Sequence, residues 1–533
     1  MNKPDRSAVV RNDHIDNSQA AQSGFTRRDF LGTTAAAAVT LWLPRSLRAQ
    51  GTTASNDKLT VACVGVGSQG LRLMMDLLRL HEVQVVAVCD VNRGNSDYVE
   101  WGQNELRDKV RNLLNDPGWG ANLTGPTAGR EVARDVANAF YAKKHAAAGY
   151  RGCKAYEDFR ELLDKESDVE AVTVSTPDHW HALIAIAAMR EGKHVYGQKP
   201  MAHSAAEARR MAEVAQTSKR ATQVSVFNSA SPVSKFVIKA LQDGIIGTVR
   251  KVDIWTSRAS AYWKQGLATP TQIDPVPAGL NWDMWLGPAP SRPFNRIYQP
   301  FVWRAWYDFG CGAIGDMGEY GFDTITRALQ LGAADRIYAS STDLYPECYP
   351  VASLVHFRFP EKAERPAVEL TWYDGGLKPS RPAELDPSIE MGVDHEGILY
   401  TGDHGKLMTG YMADNPRLIS PSGSVSSPMP ALPETRDLFD PAHPELGESA
   451  AGALALHYRE WVEACRGGAP AQANFTFEMP IVETLMLGNI AVRTQEVLEW
   501  DESAGRLTRG SSKAQALLDP PYREPWAKFA RNS

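Results

Sequence analysis

Leu59-Thr60-Val61-Ala62-Cys63-Val64-Gly65-Val66-Gly67-Ser68-Gln69-Gly70 decides the fold of the first half of the chain. An apolar run of strand character breaks at a G-x-G-x-x-G turn, a helix-like stretch follows, and a second apolar run, Val83 to Val88, leads to Asp90. Each glycine meets a separate steric need, since Gly65 permits the tight turn, Gly67 lets backbone approach a pyrophosphate, and Gly70 lets helix and strand pack closely. The helix that opens at Ser68 and Gln69 offers unpaired N–H groups to phosphate. An acid about 20 residues beyond the turn completes the fingerprint of a Rossmann dinucleotide-binding unit. A carboxylate at Asp90 accepts bonds from adenosine ribose hydroxyls and repels a 2′-phosphate, which favours NAD over NADP. Arg93 stays open to two readings: contact with a 2′-phosphate, which would admit NADP, or a solvated loop arginine.

Working outward, the chain has 533 residues, too many for one core, so two domains with additions are expected. With 57 Lys+Arg against 63 Asp+Glu and no long basic block, nucleic acid and anionic membrane surfaces are poor partners. At the start, Thr26-Arg27-Arg28-Asp29-Phe30-Leu31 precedes an apolar segment from Gly32 to Leu43 and resembles a twin-arginine export signal. Residues 1–50 are thus expected to be a signal and disordered leader, with a periplasmic destination and no permanent membrane span. That export route carries folded proteins, so nucleotide loaded before export is expected to stay tightly bound. The six cysteines show no CxxC or Cys/His ligand spacing, so no metal site is expected.

Alternating strands and helices continue to Pro200, with a Gly/Pro/Asn-rich insertion at about 93–153. The expected Rossmann domain covers 57–200. Beyond it, strands at Val249 to Thr256, Arg336 to Ser341, Ala352 to Phe359 and Ala367 to Trp372 follow one another without regular helical crossovers. The expected fold is α/β: an N-terminal Rossmann domain, then an α+β domain over 201–505 with an open, mainly antiparallel sheet. Residues 373–450 are expected to be long loops around the site or at a subunit contact, and 506–533 a C-terminal tail.

Four further landmarks are Ser175-Thr176-Pro177-Asp178-His179-Trp180-His181, Gly197-Gln198-Lys199-Pro200, Trp282-Asp283-Met284-Trp285-Leu286-Gly287-Pro288 and Trp303 to Asp323. With the glycine turn, they make the chain resemble the glucose-fructose oxidoreductase and inositol dehydrogenase family, Gfo/Idh/MocA, in its exported branch. The resemblance runs from about residue 57 to 500. It implies hydride transfer between nicotinamide and a hydroxyl-bearing carbon of a sugar, glycoside or cyclitol, and a homo-oligomer. It also implies that Lys199, from the family's Glu-Lys-Pro motif, stabilises the reacting oxygen, and that the loop through Thr176, Pro177 and His179 touches the nicotinamide ribose. His181 either acts near the chemistry or caps and packs a helix.

Two departures from the family pattern stand out. Gln198 replaces the usual Glu beside the lysine, and Tyr320 replaces the usual His in Gly315-Asp316-Met317-Gly318-Glu319-Tyr320-Gly321-Phe322-Asp323. A tyrosine needs a nearby cation to accept a proton at neutral pH, and Lys199 is the expected source. Tyr320 is accordingly read as a proton relay, with substrate binding or packing as its other role; Glu319 is an alternative base if it points inward. Asp316, by the resemblance, binds a sugar hydroxyl and orients Lys199. Asp316, Tyr320 and Asp323 fall at i, i+4 and i+7 on one helix face. Trp303, Arg304 and Trp306 are candidates to stack on and bond a sugar ring, with a buried salt bridge as the second reading of Arg304. Two alternatives accompany this function: redox-assisted glycoside cleavage, with Glu319 or His181 as second base, and a non-catalytic nucleotide-binding relative.

Overall fold

The computed structural model describes residues 58–143, 150–363, 365–428 and 450–532. The twin-arginine segment lies outside them.

The first sheet is parallel throughout. Its strands are β1 (Leu59–Val64), β2 (Val83–Cys89), β3 (Lys154–Tyr156), β4 (Ala171–Val174), β5 (His194–Gly197) and β6 (Thr222–Val224), in the order β3-β2-β1-β4-β5-β6. Helices cover both faces, so β4 is buried along its whole length and β1 nearly so, as continuous apolar strands require. The strand order reverses between β1 and β4, and the crevice beyond their carboxyl ends is where ligands bind in such sheets. Gly65 follows β1 and Ser175 follows β4, so the two motifs meet there.

Three expected boundaries shift. Because β6 pairs in parallel with β5, the first sheet extends past Pro200 to Val224. The insertion is only partly an addition: its helix Arg130–Lys143 lies on β2 and β3 as a regular crossover, while the helix Glu105–Leu114 is extra. The C-terminal tail is also built into the fold. Arg506–Arg509 is the edge strand β16 of the second sheet, and Trp526, 2% exposed, packs against Trp180 and Phe159 of the first domain at ring-centroid distances of 4.7 and 6.3 Å.

The second sheet contains β7 (Val249–Trp255), β8 (Arg336–Ser341), β9 (Ser353–Phe359), β10 (Val368–Tyr373), β11 (Gly397–Gly402), β12 (Gly405–Thr409), β13 (Arg417–Ile419), β14 (Val425–Ser426), β15 (Leu498–Asp501) and β16. The order is β14-β13-β12-β11-β7-β10-β9-β8-β15-β16, antiparallel except for the β7/β10 pair. The expected open, mainly antiparallel sheet is therefore present. The stretch expected as loops instead supplies β11 to β14, whose short runs and frequent glycines hide the strand pattern.

Helices Gly312–Leu329 and Phe475–Thr494 pack against this sheet and each other. Glycine makes the approach possible: a Cβ on Gly318 would stand 2.5 Å from Leu485, and one on Gly321 would stand 2.2 Å from Ile254 of β7. Phe475–Thr494 is long and apolar enough to cross a membrane, but 78% of its most apolar window is buried within the fold, where it serves as a core helix.

Candidate active site

A cavity of about 430 Å³ opens between the glycine turn and the helix Gly312–Leu329. Gly65, at φ +79°, makes the turn that only glycine adopts without strain, and a Cβ there would stand 2.6 Å from the Ser175 carbonyl carbon. Gly70 is equally constrained, since a Cβ would meet the Gly65 oxygen at 1.9 Å. The helix Ser68–Arg79 starts at Gly67 with no side-chain cap and no acid in its first turn, so its N–H groups remain free for an anion. Gly65, Gly67, Ser68, Gln69 and Gly70 all line the cavity. Asp90 lines it too, its two oxygens accepting the N–H groups of Val66 and Asn92 at 2.8 Å each. Arg93 is exposed and stands outside the lining, which favours the solvated reading.

Three buried polar atoms of lining residues, Ser175 Oγ, Thr176 Oγ1 and Gln198 Nε2, lack a hydrogen-bond partner within the protein. Such atoms cost free energy unless a ligand meets them. Together with the uncapped helix and the glycine turn, they fit a dinucleotide passing from β1 to β4. Pro177 lines the same wall.

His179 departs from its expected contact, and His181 takes its packing reading. His179 is 3% exposed, off the cavity, with Nδ1 and Nε2 each 3.1 Å from the carbonyls of Phe309 and Trp285. Burial drives its pKa down to about 3, so it is a neutral ring that donates to one of these two second-domain carbonyls. His181 is likewise buried off the cavity, its ring between the carbonyls of Pro200 at 2.7 Å and Thr176 at 2.9 Å. It positions the backbone that carries Lys199 and the Thr176 loop; neither imidazole reaches the reacting groups.

Lys199 crosses into the cavity from the end of β5. Its ammonium donates to Asp316 Oδ1 at 2.8 Å and to the Asp316 carbonyl at 2.5 Å. Arg304 Nε donates to the same Oδ1 at 2.9 Å. Burial pushes the Asp316 carboxyl up, but the two cations outweigh it and hold the pKa at about 2. Arg304 is thus held in a buried ion pair, its second reading, and it also lines the cavity together with Trp303.

Tyr320 also lines the cavity, but its expected partnership with Lys199 takes another form. The ammonium lies over the ring, 5.3 Å from its centroid, with two of its three donors committed to Asp316. Burial and the Asp316 charge raise the phenol's pKa, so the hydroxyl stays protonated and is a donor rather than a base. Glu319 lies off the cavity: it is fully buried, and one oxygen accepts the Met201 N–H at 3.0 Å. Trp306 is fully buried and off the lining as well.

The residue without an expected role is Asp178. It is 2% exposed, lines the cavity, and one oxygen accepts the Cys311 N–H at 3.0 Å, fastening the β4 loop to the start of Gly312–Leu329. Burial raises its pKa to about 6, against the opposing pull of Arg304. It lies inside the quoted Ser175–His181 motif, where an acid among two histidines attracts less notice. Trp101, Arg258, Tyr262, Gln299 and Phe301 were missed too; all line the cavity from loops or from the short helix Arg258–Ala261, whose sequences carry no periodic signal.

Two family models match this chain: an oxidoreductase family NAD-binding Rossmann fold over 122–226 and an oxidoreductase family C-terminal alpha/beta domain over 230–337, both Gfo/Idh/MocA. Over these two stretches the chain matches the Gfo/Idh/MocA oxidoreductase family. An inositol 2-dehydrogenase of Rhizobium meliloti is 28% identical over 221 residues, covering 41% of this chain and 63% of that protein. A glycosyl hydrolase family 109 protein of Solibacter usitatus is 28% identical over 203 residues, 37% of each chain. The chain thus spans less than two thirds of the length of these curated relatives. Among solved structures, the WlbA dehydrogenase of Chromobactrium violaceum in complex with NADH and UDP-GlcNAcA superposes with a TM-score of 0.51 at 14% identity, covering 84% of this chain and 97% of that one. At that identity the likeness speaks for the fold.

Proposed function

We propose that this protein is a member of the Gfo/Idh/MocA family, an NAD-dependent oxidoreductase that exchanges hydride with a hydroxyl-bearing carbon of a sugar, glycoside or cyclitol. One observation carries the reading: the Lys199–Asp316–Arg304 group faces the same cavity as the unpartnered Ser175, Thr176 and Gln198 atoms. The turn Gly65 to Gly70 and the Asp90 carboxylate would hold the dinucleotide, and Thr176, Pro177 and Gln198 its nicotinamide end. Bound there, the nicotinamide supplies the hydride acceptor. Lys199 stabilises the substrate oxygen as it gains alkoxide character, and Asp316 fixes the direction of that ammonium. Tyr320 donates to a neighbouring hydroxyl. Asp178, ionised above a pH of about 6, takes the hydroxyl proton.

The glycoside-cleavage alternative needs a second base, and the two candidates for it, Glu319 and His181, both lie off the cavity. Simple hydride exchange is therefore the better supported reaction. Export by the twin-arginine route with tightly held NAD is part of the same proposal. The test is the reduced-nicotinamide absorbance of exported, purified protein mixed with sugars, glycosides and cyclitols without added cofactor. A rise with one class supports both hydride transfer and retained cofactor; a rise only after NAD is added removes retention, and no rise under either condition removes the oxidoreductase reading.

A further inference from the structure

At the mouth of the cavity the fold leaves two large aromatic rings half in water. Trp101, from the first domain, is 52% exposed, and Tyr262, from the second, is 47% exposed, yet their rings meet edge to face at 5.6 Å. Phe301 joins Trp101 at 5.8 Å, again edge to face. Exposed aromatic surface concentrated at a cavity rim marks a binding surface.

The rings are held in place. Arg72 lies 5.6 Å from Trp101 and is paired through both oxygens of Glu105. Arg258 lies 4.8 Å from Tyr262 and is paired through both oxygens of Glu396. Arg304 lies 4.1 Å from Phe301 and is paired with Asp316. Three times an aromatic ring is braced by an arginine that a carboxylate anchors, which fixes ring planes without burying them. Beside them, Gln299 Nε2 is buried, borders the cavity and has no partner. Flat apolar faces with an unused donor at the edge match the C–H faces and hydroxyl rim of a pyranose.

We propose that Trp101, Tyr262, Phe301 and Gln299 form a second-ring subsite outside the Lys199 centre, and that the substrate is a glycoside of at least two sugar rings, oxidised on its inner ring. The inference rests on the oxidoreductase reading, and its test separates the two. Glucose, methyl glucoside, cellobiose and maltose are compared for hydride transfer and, by calorimetry, for binding to the NAD-loaded protein. Wild type favours a disaccharide over methyl glucoside in kcat/KM. Trp101→Ala and Tyr262→Ala each shrink that preference about five- to tenfold, the range expected for one stacked ring, and Trp101→Phe restores part of it. Equal use of one- and two-ring sugars, or a preference unchanged in both alanine variants, overturns the subsite while hydride transfer stands. Disaccharide binding that depends on Trp101, without turnover of any sugar, keeps the subsite and overturns the oxidoreductase reading. The absence of both turnover and disaccharide binding overturns the subsite, as does a Trp101→Ala effect confined to oligomeric state.

Discussion

The Lys199 ammonium grips Asp316 twice, through the carboxylate at 2.8 Å and the backbone carbonyl at 2.5 Å. A lysine tied in this way keeps its direction while substrate comes and goes, which is the condition for stabilising charge that develops only during reaction. Lys199→Ala is expected to lower kcat by about 10²–10³-fold, the cost of removing a preorganised charge stabiliser. Steady-state hydride transfer gives that number, and fluorescence of bound NADH shows whether nucleotide binding persists.

Tyr320→Phe should behave differently. Because burial keeps the phenol protonated, losing its hydroxyl removes one hydrogen bond, and about a tenfold fall in kcat/KM is expected. The shape of the pH–rate profile should not change. A loss as large as that of Lys199→Ala would restore Tyr320 as the base.

Asp178 sets the acidic limb. Its pKa, raised to about 6, means that the carboxylate is available above that pH and protonated below it. Oxidation by the wild type should therefore fall as pH drops through about 6, and Asp178→Asn should be slow throughout without that inflection. Profiles of kcat/KM between pH 5 and 8 decide it.

Glu319 is the group to test for stability. Burial raises its pKa to about 8, with the Met201 N–H and Lys199 pulling down and Asp323 and Asp178 pushing up. A folded pKa above the unfolded value gives stability that is fully present below the ordinary carboxylate range and lost as pH rises through about 8. Wild type should lose more thermal stability between pH 5 and 9 than Glu319→Gln, which still accepts from Met201. Melting curves at the two pH values measure the difference.

Gly65→Ala probes the turn. With φ at +79° and backbone of Ser175 and Thr176 within 2.7 Å of the new Cβ, the β1 and β4 loops must separate. A lower melting temperature and the loss of stabilisation by added NAD are expected in a thermal-shift assay.

How much of this is written locally in the chain varies by residue. The glycine turn is legible because each of its glycines answers a constraint within a few residues or on the adjoining strand. Lys199 and Asp316 are legible through the family pattern around them. For His179 and His181, alternation and spacing mark a loop near the ligand edge but do not say which side chains turn inward, and His181 takes the packing reading that accompanied its catalytic one. Tyr320 lines the cavity, yet its protonation depends on burial and on the charge of Asp316, which only packing reveals. Trp101 and Tyr262 are far apart in sequence and meet through the folding of two domains. The strands β11 to β14 escaped notice because runs of two to six residues between glycines, prolines and aspartates carry too little period-2 signal.

Trp526 fills a gap beside Trp180 and Phe159, residues that the ribosome makes long before it. The nucleotide-binding half therefore completes its packing only once a distant later segment has been made. A Trp526→Ala change would leave that earlier-made half with an open apolar socket for chaperones or proteases to find.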